Sequence, residues 1–173
     1  MSDNAPIELQ IVTPEGAALR AQVDELTAPS VDGDFGVLAG HRPLIAGLRT
    51  GIVTYRNGSE QQRVAVGPGF AEVASDKVLL LTSSFCKADD VDLVSARQEL
   101  AEADEALLSY AGELGAPEHG ILIRRERWAA VRLELGGEPP PATINTVNEF
   151  ELAPHANYDS EAKPHSDSDA TAG

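Results

Sequence analysis

Apolar and polar positions alternate from the start of the chain. Ile7, Leu9 and Ile11 are separated by Glu8 and Gln10. A period of two puts them on one face of a half-buried strand. Thr13-Pro14-Glu15-Gly16 reads as a turn, because Pro14 ends the ladder and Gly16 eases the reversal. Leu19, Ala21 and Val23 resume the alternation in a second strand expected to run to about Ala28. After a turn over Pro29 to Gly33, Leu44 to Leu48 and Ile52 to Tyr55 read as further strands. Asn57-Gly58 is the strongest hairpin signal, since both residues tolerate the positive φ of a tight turn. Its partner strand is expected over Gln62 to Val66, and Phe70 to Val73 is expected to pair with Val78 to Thr82 across Ser75-Asp76. Short strands at close turn spacing predict an all-β sandwich or flattened barrel. Its inward faces are expected to use Ile7, Leu9, Ile11, Val64, Val66 and Leu80, and also Ile45 and Phe70.

The period changes near Lys87. Leu93, Ala96, Leu100, Ala103, Leu107, Tyr110 and Leu114 recur at spacings of three and four, one face of a helix. Asp89 or Asp90 is expected to cap it. Gly112, Gly115 and Pro117 interrupt, and Ile121, Trp128, Val131 and Leu135 supply a second stripe. The pair makes an antiparallel helical hairpin, ended by Gly136-Gly137 and Pro139-Pro140-Pro141. The fold class is thus α+β in sequence order. An N-terminal all-β sandwich over 1–86 is followed by a two-helix hairpin over 87–136. An acidic Pro/Ser/Asp-rich tail over 137–173 is expected to be mostly disordered. Its one apolar island, Ile144 to Phe150, reads on sequence alone as an incidental patch rather than a docking segment.

Charge narrows the function. The 173 residues hold 28 Asp and Glu against 13 Lys and Arg, a net charge of −15. That argues against a nucleic-acid binder, which needs clustered positive charge, and against attachment to anionic lipid. The tail is densest in negative charge, with 7 acidic residues and 1 basic. Cys86 is the only cysteine, so no intrachain disulfide forms, which fits a reducing compartment. No apolar run is long enough to span a bilayer, and any membrane association is expected to come through a partner.

Catalytic chemistry finds little support. His41, His119, His155 and His165 show no metal-ligand spacing and Cys86 has no Cys partner nearby, so no metal and no cofactor are expected. A triad of a serine, His41 and Asp24 has nothing to favour it over chance. The most unusual run is Gly33-Asp34-Phe35-Gly36-Val37-Leu38-Ala39-Gly40-His41-Arg42-Pro43-Leu44-Ile45. Its glycines and proline predict a bent, hairpin-like corner presenting Asp34 and His41 near a sheet edge. From spacing alone, both serve turn chemistry.

That run also carries a resemblance. Val12-Thr13-Pro14-Glu15-Gly16, then Val23-Asp24, then Gly33 to Leu44, then Gly51, then Gly69-Phe70-Ala71-Glu72-Val73 resemble, in order and spacing, the epsilon subunit of the F-type rotary ATP synthase. The likeness is strong over residues 7–83 and weaker to about 135, and the last stretch has no counterpart. It implies a non-catalytic central-stalk subunit of a proton- or sodium-translocating ATP synthase, coupling the gamma subunit to the c-ring. It places the chain on the cytoplasmic side of a bacterial inner membrane, held peripherally through the complex. Carried over residue by residue, Asp34, Gly40, His41 and Pro43 fall in the c-ring contact region, with Asp34 where the family more often has Glu. The resemblance further implies that the hairpin inhibits ATP hydrolysis by extending toward the alpha and beta catalytic subunits. Arg124, Arg125, Arg127 and Arg132 are its candidate contacts. The plainer reading of these arginines is a solvated face with intrahelical pairs to Glu126 or Glu134.

Some members bind ATP through Ile/Leu-Asp-x-x-Arg-Ala. Here Val91-Asp92-Leu93-Val94-Ser95-Ala96 keeps Asp92 and Ala96, but Ser95 replaces the arginine and Arg97 points about 200° around the helix. Asp92 therefore reads first as a helix N-terminal charge. Two other classes stand beside the resemblance. One is a free-standing sandwich-and-hairpin adaptor of another complex, and the other is a small hydrolase with an unrecognised site.

Overall fold

The computed structural model describes residues 6–139. Ten strands, of which Phe35–Leu38 and Phe85–Lys87 are not marked by the sequence alternation, close into two five-stranded sheets. They are β1 (Ile7–Thr13), β2 (Gly16–Val23), β3 (Glu25–Ala28), β4 (Phe35–Leu38), β5 (Leu44–Leu48), β6 (Gly51–Asn57), β7 (Glu60–Val66), β8 (Gly69–Val73), β9 (Lys77–Thr82) and β10 (Phe85–Lys87). The first sheet has the order β2-β1-β9-β8-β5 and the second β10-β7-β6-β3-β4. Among the described strands only β1 and β9 pair in parallel. Ile7, Leu9, Ile11, Val78 and Leu80 from the first sheet meet Leu26, Val37, Val53, Val64 and Val66 from the second in one core. At about 1.5–3 kcal/mol per buried aliphatic side chain, this core is the main stabilising term of the sandwich.

The strand expected to run from Leu19 to Ala28 is two strands. It breaks at Asp24, where β2 leaves the first sheet and β3 enters the second. The Asp24 amide donates to the Arg56 carbonyl at 2.7 Å and its carboxylate accepts from the Gly58 amide at 2.7 Å. The crossing is thereby fixed to the β6–β7 turn. The loop residues of that turn are Gly58 and Ser59 rather than the expected Asn57 and Gly58, since Asn57 pairs with Glu60 and of Asn57 and Gly58 only Gly58 takes a positive φ. Gly69 stands where β8 meets β9 too closely for a side chain: a Cβ there would lie 1.8 Å from the Leu81 carbonyl oxygen.

Two expected core residues point the other way. Ile45 is 77% exposed and Phe70 is 51% exposed. Phe70 pairs with Leu81 and Gly47 on the outer side of the first sheet, while its neighbours Ala71 and Val73 face inward. Phe70 and Val73 are three apart, so a strand cannot place both on one face.

A 3-10 turn over Ala88–Asp90 leads to α1 (Leu93–Leu108) and α2 (Pro117–Leu135). Asp92, not Asp89 or Asp90, caps α1: its carboxylate accepts from the Val94 and Ser95 amides at 3.0 and 3.1 Å. The helix stops short of Tyr110 and Leu114, because Ser109 turns its hydroxyl onto the Glu105 and Ala106 carbonyls. Pro117 opens α2 as expected. The single stripe expected on α2 is in fact two. Ile123, Glu126, Ala130 and Leu133 are buried at helical spacing, and Val131 and Leu135 pack on Ala65 of β7. A helix wedged between α1 and a sheet needs both, and Ile121 is left 55% exposed. The expected tail disorder, the apolar island at 144–150, His155 and His165 lie outside the described residues.

Candidate functional site

The Gly-rich run is not one corner. Its middle forms β4, an edge strand of the second sheet, and four residues of strand separate the two ends by roughly 13 Å. Asp34 lies before β4, where its carboxylate accepts from Arg49 Nη2 at 2.7 Å. Both partners are well exposed, so the pair contributes at most about 1 kcal/mol. Gly40, His41 and Pro43 lie after β4. Gly40 has φ +74 and its amide donates to the Ser75 carbonyl at 3.0 Å, which joins this end to the β8–β9 turn. A Cβ resists that left-handed conformation. The His41 amide donates to the Leu38 carbonyl at 3.1 Å, and its Nδ1–H donates to the Arg42 carbonyl at 2.7 Å. The expected juxtaposition of Asp34 with His41 does not occur. The two instead bracket one side of the sandwich, along which β4 and β5 expose Leu38 and Ile45.

Around the bend from that edge, the outer face of the first sheet carries an apolar row. Val12, Leu81 and Phe70 stand in register across β1, β9 and β8, with Ile45 beside Glu72 one row away. Phe70 and Leu81 are each about half exposed. Large side chains grouped on an open sheet face mark an interaction surface. Strict alternation along β8 was the signal in the sequence that separates this face from the core.

The second sheet's outer face is covered. Val131 and Leu135 of α2 lie on Ala65, flanked by Ile52, Cys86, Val91 and Trp128. Burial there pushes the Cys86 thiol up from its ordinary range, against the opposing pull of Arg132. An ion pair spans the junction, from Arg63 of β7 to Glu134 of α2 at 3.5 Å.

The arginines of α2 do not share one role. Arg125 pairs with Glu102 at 2.7 Å and Arg132 with Glu99 at 2.5 Å, so the carboxylate partners of both lie across the hairpin on α1 rather than on α2. Arg132 also stacks on Trp128, 5.8 Å from the ring centre. Its guanidinium holds the Glu99 carboxyl below the usual range, with the Ser95 hydroxyl adding to the effect. Ser95 thus donates to Glu99 at 3.0 Å from the position where an arginine was sought. Arg124 is half-buried and no carboxylate of the described residues pairs with it. Arg127 is half-buried on the same helix. At the hairpin turn, His119 is buried, stacks on Tyr110 at 5.0 Å and accepts from the Gly115 amide at 3.3 Å. Among the described residues no group of His, Cys, Asp and Glu could hold a metal ion, and no helix is long and apolar enough to cross a membrane.

Comparison with known proteins agrees with this architecture. Residues 6–88 match the family model for the ATP synthase delta/epsilon chain β-sandwich domain. The chain is 37% identical over 131 residues to an ATP synthase epsilon chain of Anaeromyxobacter dehalogenans, covering 76% of this chain and 98% of that one. It is 38% identical to ATP synthase epsilon chain 2 of Syntrophotalea carbinolica, covering 76% and 94%. About a quarter of the chain therefore has no counterpart in either. Among solved structures, a chain of the Euglena gracilis mitochondrial ATP synthase OSCP/F1/c-ring assembly superposes with a TM-score of 0.57 at 23% identity, over 75% of this chain and 76% of that one. A chain of the Tetrahymena thermophila central stalk and c-ring gives 0.52 at 12%, over 74% and 94%. These two likenesses concern the fold. With a two-sheet sandwich, a C-terminal helical pair and more than a third of positions shared across nearly the whole of known members, this chain belongs to the ATP synthase epsilon chain family.

Proposed function

We propose that this chain is a non-catalytic part of the central stalk, joining the gamma subunit to the c-ring on the cytoplasmic side of a bacterial inner membrane. The observation that carries this reading is the outward apolar row Val12, Leu81 and Phe70 with Ile45 beside it. It gives gamma a flat, rigid seat on a sheet whose other side is the core. The adjoining β4–β5 edge, with Asp34, Gly40, His41 and Pro43, is the surface for the polar c-ring loops. There Asp34 exchanges Arg49 for a basic or polar group of the ring. Two interfaces on one rigid sandwich transmit torque without chemistry.

The hairpin supplies regulation. In the docked arrangement Arg125 and Arg132 are bound to Glu102 and Glu99 of α1. Extension exchanges those partners for acidic surfaces of the alpha and beta subunits, joined by Arg124 and Arg127. Two packings with comparable ion pairing can lie close in free energy, as a switch needs. The test is ATP hydrolysis by a catalytic complex reconstituted without the chain, with the full chain, and with the full chain carrying alanine at all four arginines. The expected result is suppression by the native chain alone, with both versions bound. Equal suppression by the alanine variant would overturn the inhibitory role, and failure of the native chain to bind would overturn the stalk assignment.

A further inference from the structure

The N-terminal half of α2 does not lie flat on the sandwich. Between them runs a groove of about 270 Å³, walled on the helix side by Ile121, Arg124 and Trp128 and on the sheet side by the Gly67-Pro68 and Ser83-Ser84 turns. The two turns tie each other down. The Gly67 amide donates to the Ser84 carbonyl at 2.9 Å, and the Ser83 amide donates to the Pro68 carbonyl at 3.0 Å. The Thr82 hydroxyl donates to the Gly67 carbonyl at 2.9 Å. A Cβ at Gly67 would lie 2.7 Å from the Ser83 hydroxyl oxygen and displace it. The floor of the groove is therefore set by the fold before any ligand arrives.

The charge of this groove is the reverse of the chain's. The chain holds 28 Asp and Glu against 13 Lys and Arg, yet two arginines and no carboxylate line the groove. Arg125 at the rim is engaged by Glu102 at 2.7 Å. Arg124 is half-buried and meets no carboxylate among the described residues. Among the described residues the hydroxyls of Ser83 and Ser84 donate to no acceptor either. One guanidinium and two hydroxyls with hydrogen bonds left to give thus line one space.

A small oxyanion satisfies them together. Arginine presents a planar fork of donors that fits such an anion. A serine hydroxyl can donate to a phosphate oxygen or accept from its remaining O–H. Trp128 and Ile121 close the side with apolar surface, which lowers the local dielectric and strengthens the ionic bonds. At about 270 Å³ the groove falls below the roughly 300 Å³ at which pockets begin to hold drug-sized molecules, so it fits a free ion better than a nucleotide. The net charge of −15 does not bar the ion, because physiological salt screens carboxylates farther off than about 8 Å.

We propose that this groove is a binding site for inorganic phosphate, held by Arg124 with the Ser83 and Ser84 hydroxyls and bounded by Trp128. The bound ion touches α2 and the sandwich at once, so it ties the N-terminal half of α2 down and favours the docked arrangement. The binding stands on the groove alone. Its regulatory consequence rests on the switch reading above, since extension carries Arg124 away and the ion must then leave.

Trp128 is the only tryptophan in the chain, so intrinsic fluorescence reports on the site directly. The full-length protein is titrated with sodium phosphate at constant ionic strength, with sodium chloride as the control. The expected result is a saturable change with a midpoint on the order of millimolar, as a ligand of so few atoms allows. Arg124→Ala should raise the midpoint about tenfold or more, and Ser83→Ala with Ser84→Ala about threefold, with circular dichroism unchanged. Equilibrium dialysis with radiolabelled phosphate should give the same midpoints. Saturating phosphate should also slow hydrogen exchange in α2 of the native chain and leave that of Arg124→Ala unchanged. Absence of saturation, or an unchanged midpoint in Arg124→Ala, overturns the site. Saturation by ATP or ADP but not by phosphate overturns its assignment to the free ion. Binding without slower exchange overturns the tie between α2 and the sandwich. The stalk reading is tested separately by assembly with gamma, so a failure here is distinct from a failure there.

Discussion

The sandwich has two outer faces, and they are built differently. The second sheet offers Ile52, Ala65 and Cys86, small or half-buried groups, and α2 covers them with Val131 and Leu135. The first sheet offers Phe70 and Leu81, each about half exposed, with Ile45 at its edge. The covered face is modest in area and reinforced by one exposed ion pair, Arg63 with Glu134, so it is suited to a contact that forms and breaks. This half-exposed face is apolar at Phe70, Leu81 and Ile45 and continuous with the core strands, so it is suited to a permanent seat. One sheet serves the chain's own moving part and the other serves a partner.

Substitutions can break this contrast at graded cost. The largest effect is expected where both faces depend on one core. Leu9→Ala empties a fully buried site between the sheets, should cost roughly 3 kcal/mol in urea unfolding, and should weaken both faces together. Phe70→Asp with Leu81→Asp should separate them. Stability should change by no more than about 0.5 kcal/mol, since both side chains are half exposed, while affinity for gamma should fall by about 2 kcal/mol or more, roughly 30-fold, in a titration. Val131→Asp should do the converse, placing a charge under α2. Hydrogen exchange should accelerate in α1 and α2 by about 2 kcal/mol of local stability while β1 and β9 stay protected.

Smaller effects sharpen the picture of the hairpin. Glu99 has a folded-state pKa lowered by Arg132. Its contribution is present above the unfolded value of about 4.3 and is lost as pH falls through the lowered folded value. The hairpin should therefore loosen in acid, below about pH 4, by under about 1 kcal/mol for a partly exposed pair. Glu99→Gln should remove that pH dependence in a thermal melt series. Arg63→Ala, which breaks the pair with Glu134, should cost least, a few tenths of a kcal/mol.

Much of this was legible in the residues. Period-two alternation located most of the strands, and Asn57-Gly58 located the β6–β7 hairpin, because those signals are local. Spacings of three and four located both helices. What escaped depends on partners far away in sequence. Nothing before Asp24 announces that β2 and β3 belong to different sheets, since each half alternates correctly by itself. Large apolar residues usually lie inside, which is why Phe70 and Ile45 read as core; on β8, counting positions from Val73 puts Phe70 outside. For Arg125 and Arg132 the sequence points to partners one turn away on α2, yet their carboxylates lie on α1, which only the antiparallel packing brings alongside. Asp34 and His41 look adjacent in a Gly-rich run, but Phe35 to Leu38 is a strand long enough to hold them apart.

The most direct test of the two-face account is photocrosslinking of the full chain in the reconstituted complex, with one photoreactive side chain placed at Phe70 and, separately, at Gln61 on the outer face of the second sheet. The account predicts a crosslink to gamma from position 70 and none from position 61. A crosslink to gamma from position 61 alone, or from neither, would contradict it.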